Sequence, residues 1–301
     1  MISILSCLLL VPVLTLPGVR VEYAERDAAA ARRTGETIRG IEGDVGARLG
    51  VAVPEPVDVV LAESDPAFDR EFAARGGRGA APAWALAVAI PDAASIVVRT
   101  TRLEAFTDND LRLTLAHELA HLALGTISPS LPRWLDEGLA EWASGRRLAS
   151  AERTTLERLA RSGTLATLEE LEAGFPLHAD EAHVAYVESL AFVEALAAGA
   201  GPDSIPRFLR ALAGGTPFAR AFERAFDAPL RGVEIAWRAD LASRYSIARD
   251  LYERGSLYTL LALLLVVAFA RYRRKRAALL SAMGEPPPPR EYPEGERDNE
   301  T

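Results

Sequence analysis

Apolar and polar residues alternate through Val19-Arg20-Val21-Glu22-Tyr23, the period of a strand with one buried face. From residue 27 the period lengthens to that of a helix, which runs to residue 49 and stops at Gly50. Residues 57–62 form an almost unbroken apolar run between Pro56 and Asp65-Pro66, and predict a second strand. Two further strands are predicted at 84–90 and 95–100, across a Pro91-Asp92 turn, with a glycine-rich loop at 74–83 before them. From Thr107 onward the helical period dominates. Thr107 is a cap with an acid three residues on, and Leu111, Leu115, Leu119 and Leu122 make an apolar stripe that ends near Gly125. Pro132 and Gly145 bracket the next helix. Short surface helices follow over 151–173, broken at Ser162-Gly163, and another helix starts at Tyr186. Helical stretches at 204–214, 217–226 and 229–245 carry core aromatics such as Phe208, Phe222 and Trp237. The pattern predicts an α+β fold: a small mixed sheet with one long helix, then a mostly helical subdomain.

Both ends of the chain depart from this pattern. Residues 1–16 are almost wholly apolar, too short for a comfortable membrane span, and predict a signal segment over 1–18. An uncleaved anchor and a buried strand are the open alternatives, because no Lys or Arg precedes the run and no clean cleavage site follows it. Residues 257–270 form a second apolar run, with Arg271-Tyr272-Arg273-Arg274-Lys275-Arg276 directly after it. That arrangement predicts a transmembrane helix over 255–272 and a cytoplasmic tail over 273–301, basic at first and disordered from Pro286 to Pro289 through the charged remainder. The globular part, 19–250, would then lie outside the cytoplasm.

Composition removes several kinds of function. A net charge of −8 argues against a nucleic-acid partner. Cys7 is the only cysteine, so disulfides and thiolate metal sites are excluded. No glycine-rich phosphate loop is present. Any metal must be held by histidine and carboxylate, and only four histidines exist.

Two of the four stand in His117-Glu118-Leu119-Ala120-His121. On a helix this H-E-x-x-H spacing puts both imidazoles on one face, one turn apart, where zinc accepts neutral nitrogens at about 2.0–2.1 Å. Glu118 lies between them, where a carboxylate can take the proton of a metal-activated water. The next helix offers Glu137 and Glu141, four apart on one face. A short return would lay that face over the histidines. One carboxylate can then complete a three-ligand site with an open fourth position, and the other can accept a ring N–H from a ligand histidine.

H-E-L-A-H followed by W-L-D-E-G-L-A-E-W resembles the gluzincin zinc peptidases, and most closely the peptidase MA-like family of bacterial proteins. The resemblance implies a zinc ion held by His117, His121 and Glu137, with Glu141 orienting a histidine and Glu118 as general base. It implies an oxyanion donor on the later helix; Tyr186 is the candidate and His183 its competitor, while His178 reads as a loop histidine. The expected function is a membrane-anchored, zinc-dependent hydrolase of peptide bonds acting on peptides or proteins. Its alternative is a catalytically silent zinc-binding domain serving as a membrane-tethered binding or assembly factor. The resemblance also places strand 84–90 beside the metal helix, as an edge to which a peptide substrate could add.

Overall fold

A computed structural model describes residues 11–127, 131–173, 179–244, 261–276 and 278. The first ten residues of the expected signal segment, His178, residues 255–260 of the expected span and the tail from 279 lie outside the described residues.

The chain divides into two compact units, residues 1–245 and 246–301. In the first, five strands form one mixed sheet: β1 (Val13–Leu16), β2 (Val19–Glu22), β3 (Val57–Ala62), β4 (Ala87–Ile90) and β5 (Ser95–Arg99), in the order β1-β2-β3-β5-β4. β2, β3 and β5 are parallel, while the edge strands β1 and β4 pair antiparallel to their neighbours. Parallel β2 and β3 are joined through α1 (Ala28–Leu49), whose buried positions Ala31, Ile38, Ile41, Val45 and Leu49 keep the helical spacing foreseen. Gly50 closes it in the left-handed region at φ 69°.

Side-chain alternation sorts the sheet between two layers. Val59, Leu61, Ile96 and Val98 face the main core with α1 and α4 (Asp108–Gly125). Val97 and Ala62 join a smaller cluster with Phe68 and Phe72 of α2 (Asp65–Ala74) on the other face. β5 is therefore buried throughout, with Ile96, Val97 and Val98 between a buried Ser95 and a buried Arg99. After the short α3 (Thr100–Leu103) and α4 come α5 (Arg133–Ser144), α6 (Ser150–Ser162), α7 (Leu168–Ala173), α8 (Ala179–Ala200), α9 (Ser204–Ala213), α10 (Phe218–Phe226) and α11 (Leu230–Arg244). α5 packs on α4 and α8. A Cβ at Gly138 would lie 2.6 Å from Ser189 O, so the α5–α8 approach at this point requires glycine.

Several expectations change. Residues 13–16, assigned above to a signal segment, form β1 and pair with β2, and Leu14 and Leu16 pack against the core. This corresponds to the buried-strand alternative for that stretch. Asp65-Pro66, expected to end a strand, opens α2: Ser64 Oγ caps it by accepting from Ala67 N at 3.3 Å, and proline suits a first turn. The strand expected from residue 84 begins at Ala87, because Ala85 N turns back to Pro82 O. The 151–173 segment is not merely superficial: Leu156, Leu165, Leu168 and Leu171 are buried. α8 begins well before Tyr186. In the second unit residues 261–276 are helical, and among the described residues no single helix is long and apolar enough to cross a membrane.

Candidate metal centre

α4 is set by its ends and one stripe. Thr107 and Asp110 form a reciprocal capping box, and Leu111, Leu115, Leu119 and Leu122 are fully buried. Each such leucine contributes about 1.5–3 kcal/mol by leaving water, enough to fix the rotation of the helix. That rotation turns His117 and His121 towards α5, whose end is fixed by Gly145 at φ 86°. His117 faces Glu141 while His121 faces Asp136, so the two helices run in opposite directions across the site.

Three donor atoms converge between them. His117 Nε2 and His121 Nε2 are 3.0 Å apart, and Glu137 Oε2 lies 3.5 and 3.4 Å from them. Glu137 Oε2 is buried and makes no hydrogen bond. A tetrahedral ion with bonds of about 2.0–2.1 Å holds its ligand atoms roughly 3.3–3.4 Å apart. The triangle has that size, and a buried carboxylate oxygen without a partner calls for a cation. His117, His121 and Glu137 can therefore hold a metal ion.

The outer ring nitrogens are also engaged. His121 Nδ1 is 3.0 Å from Asp136 Oδ2, and His117 Nδ1 is 3.8 Å from Glu141 Oε1. The closer contact favours the proton on His121 Nδ1 and leaves Nε2 for an ion, and Glu141, beyond hydrogen-bond distance, acts on His117 through its charge. Asp136 was missed by sequence reasoning. Its signal was arithmetic: two ligand histidines need two acceptors, and the helix carries three acids.

Electrostatics follow from burial among these charges. Burial works against protonating His117 and His121, yet the surrounding carboxylates outweigh it and raise both: Glu137 chiefly for His117, Asp136 chiefly for His121. Burial would raise Glu137, but the two histidines overcome it and hold its carboxyl well below the usual range. Glu118 is 8% exposed, and there burial prevails over the two histidines and raises the carboxyl. Its Oε2 accepts from Ala89 N at 2.6 Å, which ties it to β4.

Tyr186 projects from α8 with its ring centroid 6.2 Å from that of His117. Burial pushes its phenol upward, so it stays a neutral O–H donor. His183 is exposed, and its Nε2 sits 3.3 Å from Glu152 Oε1 rather than against the three donors. A cleft of about 740 Å3 opens over the centre, and Glu118, Arg133, Arg146, His183 and Tyr186 are among its walls.

β4 is the sheet edge, as expected, but its rim is not open. Arg99 N bonds Leu86 O, so alternation turns Ala87 and Ala89 outward. The Ala89 amide is taken by Glu118, and Ala87 is only 3% exposed.

A family model described as Peptidase MA superfamily matches residues 45–243, about two thirds of the chain. No curated protein matches it.

Proposed function

Because this chain belongs to the Peptidase MA superfamily, we propose that it is a zinc-dependent peptidase tethered to a membrane by residues 255–272. The observation that carries the reading is the buried, unpartnered Glu137 Oε2 facing two histidine Nε2 atoms, with Glu118 alongside. Two imidazoles and one carboxylate form a donor set that suits zinc and leaves a position for reactants.

His117, His121 and Glu137 hold the ion in this reading, and Asp136 and Glu141 orient the two rings. When bound, zinc supplies Lewis acidity that draws charge from a carbonyl oxygen and acidifies water. Glu118 is the proton carrier. Its raised affinity for protons suits it to accept one from the attacking water as a C–O bond forms at the peptide carbonyl. It then returns that proton to the amine nitrogen as the C–N bond breaks. Tyr186, neutral and beside His117, donates its O–H towards the oxygen on which negative charge develops.

Glu118→Gln removes the carrier while keeping the shape. Hydrolysis of a peptide pool, followed by mass spectrometry, should fall on the order of 10²- to 10⁴-fold at unchanged zinc content. Equal hydrolysis by the variant would refute the role of Glu118. Absence of hydrolysis by the parent protein with full zinc content would instead favour the silent, membrane-tethered binding domain.

A further inference from the structure

One wall of the cleft is held by a device with no part in binding metal. Arg99, on β5, is 3% exposed, and its guanidinium lies 3.6 Å over the Phe68 ring centroid. Its Nε donates to Asp65 Oδ1 at 2.8 Å, which compensates the buried charge. Nη2 faces Asp69 Oδ1 at 4.0 Å, while Nη1 and the backbone amide go to the chain just before β4. Arg99 Nη1 donates to Ala85 O at 2.7 Å and Pro82 O at 3.4 Å, while its backbone N donates to Leu86 O at 2.8 Å. A buried cation bonded to two carbonyls, with its own backbone amide on a third within the same five residues, fixes the backbone of that segment from behind.

That backbone carries Trp84. The indole is 43% exposed, although tryptophan is ordinarily well covered. One edge is steadied by Tyr186, with centroids 6.1 Å apart and planes at 84°. Tyr186 in turn stands against His117. The free indole surface is therefore one ring removed from the metal centre. Pro82, Leu86, Phe106 and Leu113 also line the cleft. With the Ala89 amide held by Glu118, side chains on this wall add to whatever recognition the rim of β4 supplies.

We infer that the Pro82–Leu86 segment, clamped by Arg99, is a preformed specificity wall on which Trp84 receives a bulky apolar or aromatic side chain of the substrate beside the bond to be cleaved. Arg99 is its positioning residue. The inference rests on the peptidase reading for the term substrate, but the wall makes its own prediction about binding. Aromatic packing adds preference beyond area alone, and a rigid platform avoids the cost of ordering it.

The test uses the full-length zinc protein and two peptides that differ only in phenylalanine or alanine at one position beside the cleaved bond. The ratio of kcat/KM, phenylalanyl over alanyl, should fall on the order of threefold to tenfold in Trp84→Ala and recover in Trp84→Phe. Arg99→Lys keeps the charge but loses the fork. It should raise KM for the phenylalanyl peptide with little change in kcat. An unchanged ratio in Trp84→Ala, or an equal loss for both peptides, overturns the inference while leaving the peptidase reading intact. Binding of both labelled peptides is measured in parallel by fluorescence anisotropy. A phenylalanyl preference that disappears in Trp84→Ala, without hydrolysis in the parent, keeps the wall and refutes the peptidase reading. Neither binding nor hydrolysis of either peptide refutes both.

Discussion

At the scale of single residues, the outer nitrogens of the two histidines decide how well the inner ones can bind. Asp136 stands 3.0 Å from His121 Nδ1, and Glu141 stands 3.8 Å from His117 Nδ1. Acceptors of this kind fix the ring tautomer, and their loss commonly costs about 10- to 100-fold in metal affinity. Asp136→Asn should therefore weaken zinc binding by the larger part of that range and Glu141→Gln by the smaller, in competition with a chelator. The reverse order would mean that distance does not govern the effect. The same affinities should rise with pH, because both histidines have raised pKa values in the metal-free protein and must lose protons to bind the ion. The two histidines and Glu118 were legible because H-E-x-x-H fixes their faces by spacing alone. Asp136 was not, because neighbouring positions on a helix point about 100° apart and sequence cannot tell which acid a histidine meets.

At the scale of elements, α8 is packed against α5 and carries a buried acid, Glu188, that takes no part in the chemistry. Glu188 is 3% exposed and accepts from Ala166 N at a long 3.5 Å; Arg238, nearby, spends its guanidinium on Leu165 O and Ala166 O. Burial, only partly offset by that amide and Arg238, pushes the Glu188 carboxyl up to about 7. A carboxyl raised on folding contributes its stability at low pH, fully below its unfolded value near 4.5, and loses it as pH rises through about 7. Glu188→Gln should remove this decline and be more stable than the parent at pH 8 by on the order of 2–3 kcal/mol, with a much smaller difference at pH 5. Urea titrations at the two values measure it, and an equal difference at both would exclude Glu188 as the source. Elements themselves were legible wherever one period ran its full length, as in α1, β3 and α4. Where a short segment takes its form from a partner strand or side chain rather than from its own period, the pattern misled. β1 is a strand through pairing with β2, and β4 starts late because Arg99 holds the residues before it in a turn. β2 is close by, across a turn at Gly18 with φ 75°, but the apolar run of residues 1–16 masks the pairing; the Arg99 clamp joins residues that no local period connects.

At the scale of the whole molecule, the acidic excess lies in the first unit, and the second carries a concentrated basic run. The chain carries a net charge of −8 despite five cations between Arg271 and Arg276, so the remainder is more acidic than the total. An acidic body is repelled by an anionic bilayer, and any attraction must come from the second unit. There Leu261, Leu263, Leu264, Leu265, Val266, Val267 and Phe269 are all exposed directly ahead of the basic run. Apolar residues can enter hydrocarbon while each cation near an anionic surface adds about 1 kcal/mol. The full chain should therefore sediment with phosphatidylserine-containing vesicles and resist extraction by high salt, because burial of the apolar run does not depend on screened charge. A fragment of residues 11–245 retains β1, the sheet and all of α1 to α11, so it should bind zinc with unchanged stoichiometry and remain in the supernatant. Release of the full chain by salt alone would reduce the attachment to its cations and remove the spanning helix from the proposal. Sedimentation of the fragment would place the membrane contact on the acidic body instead.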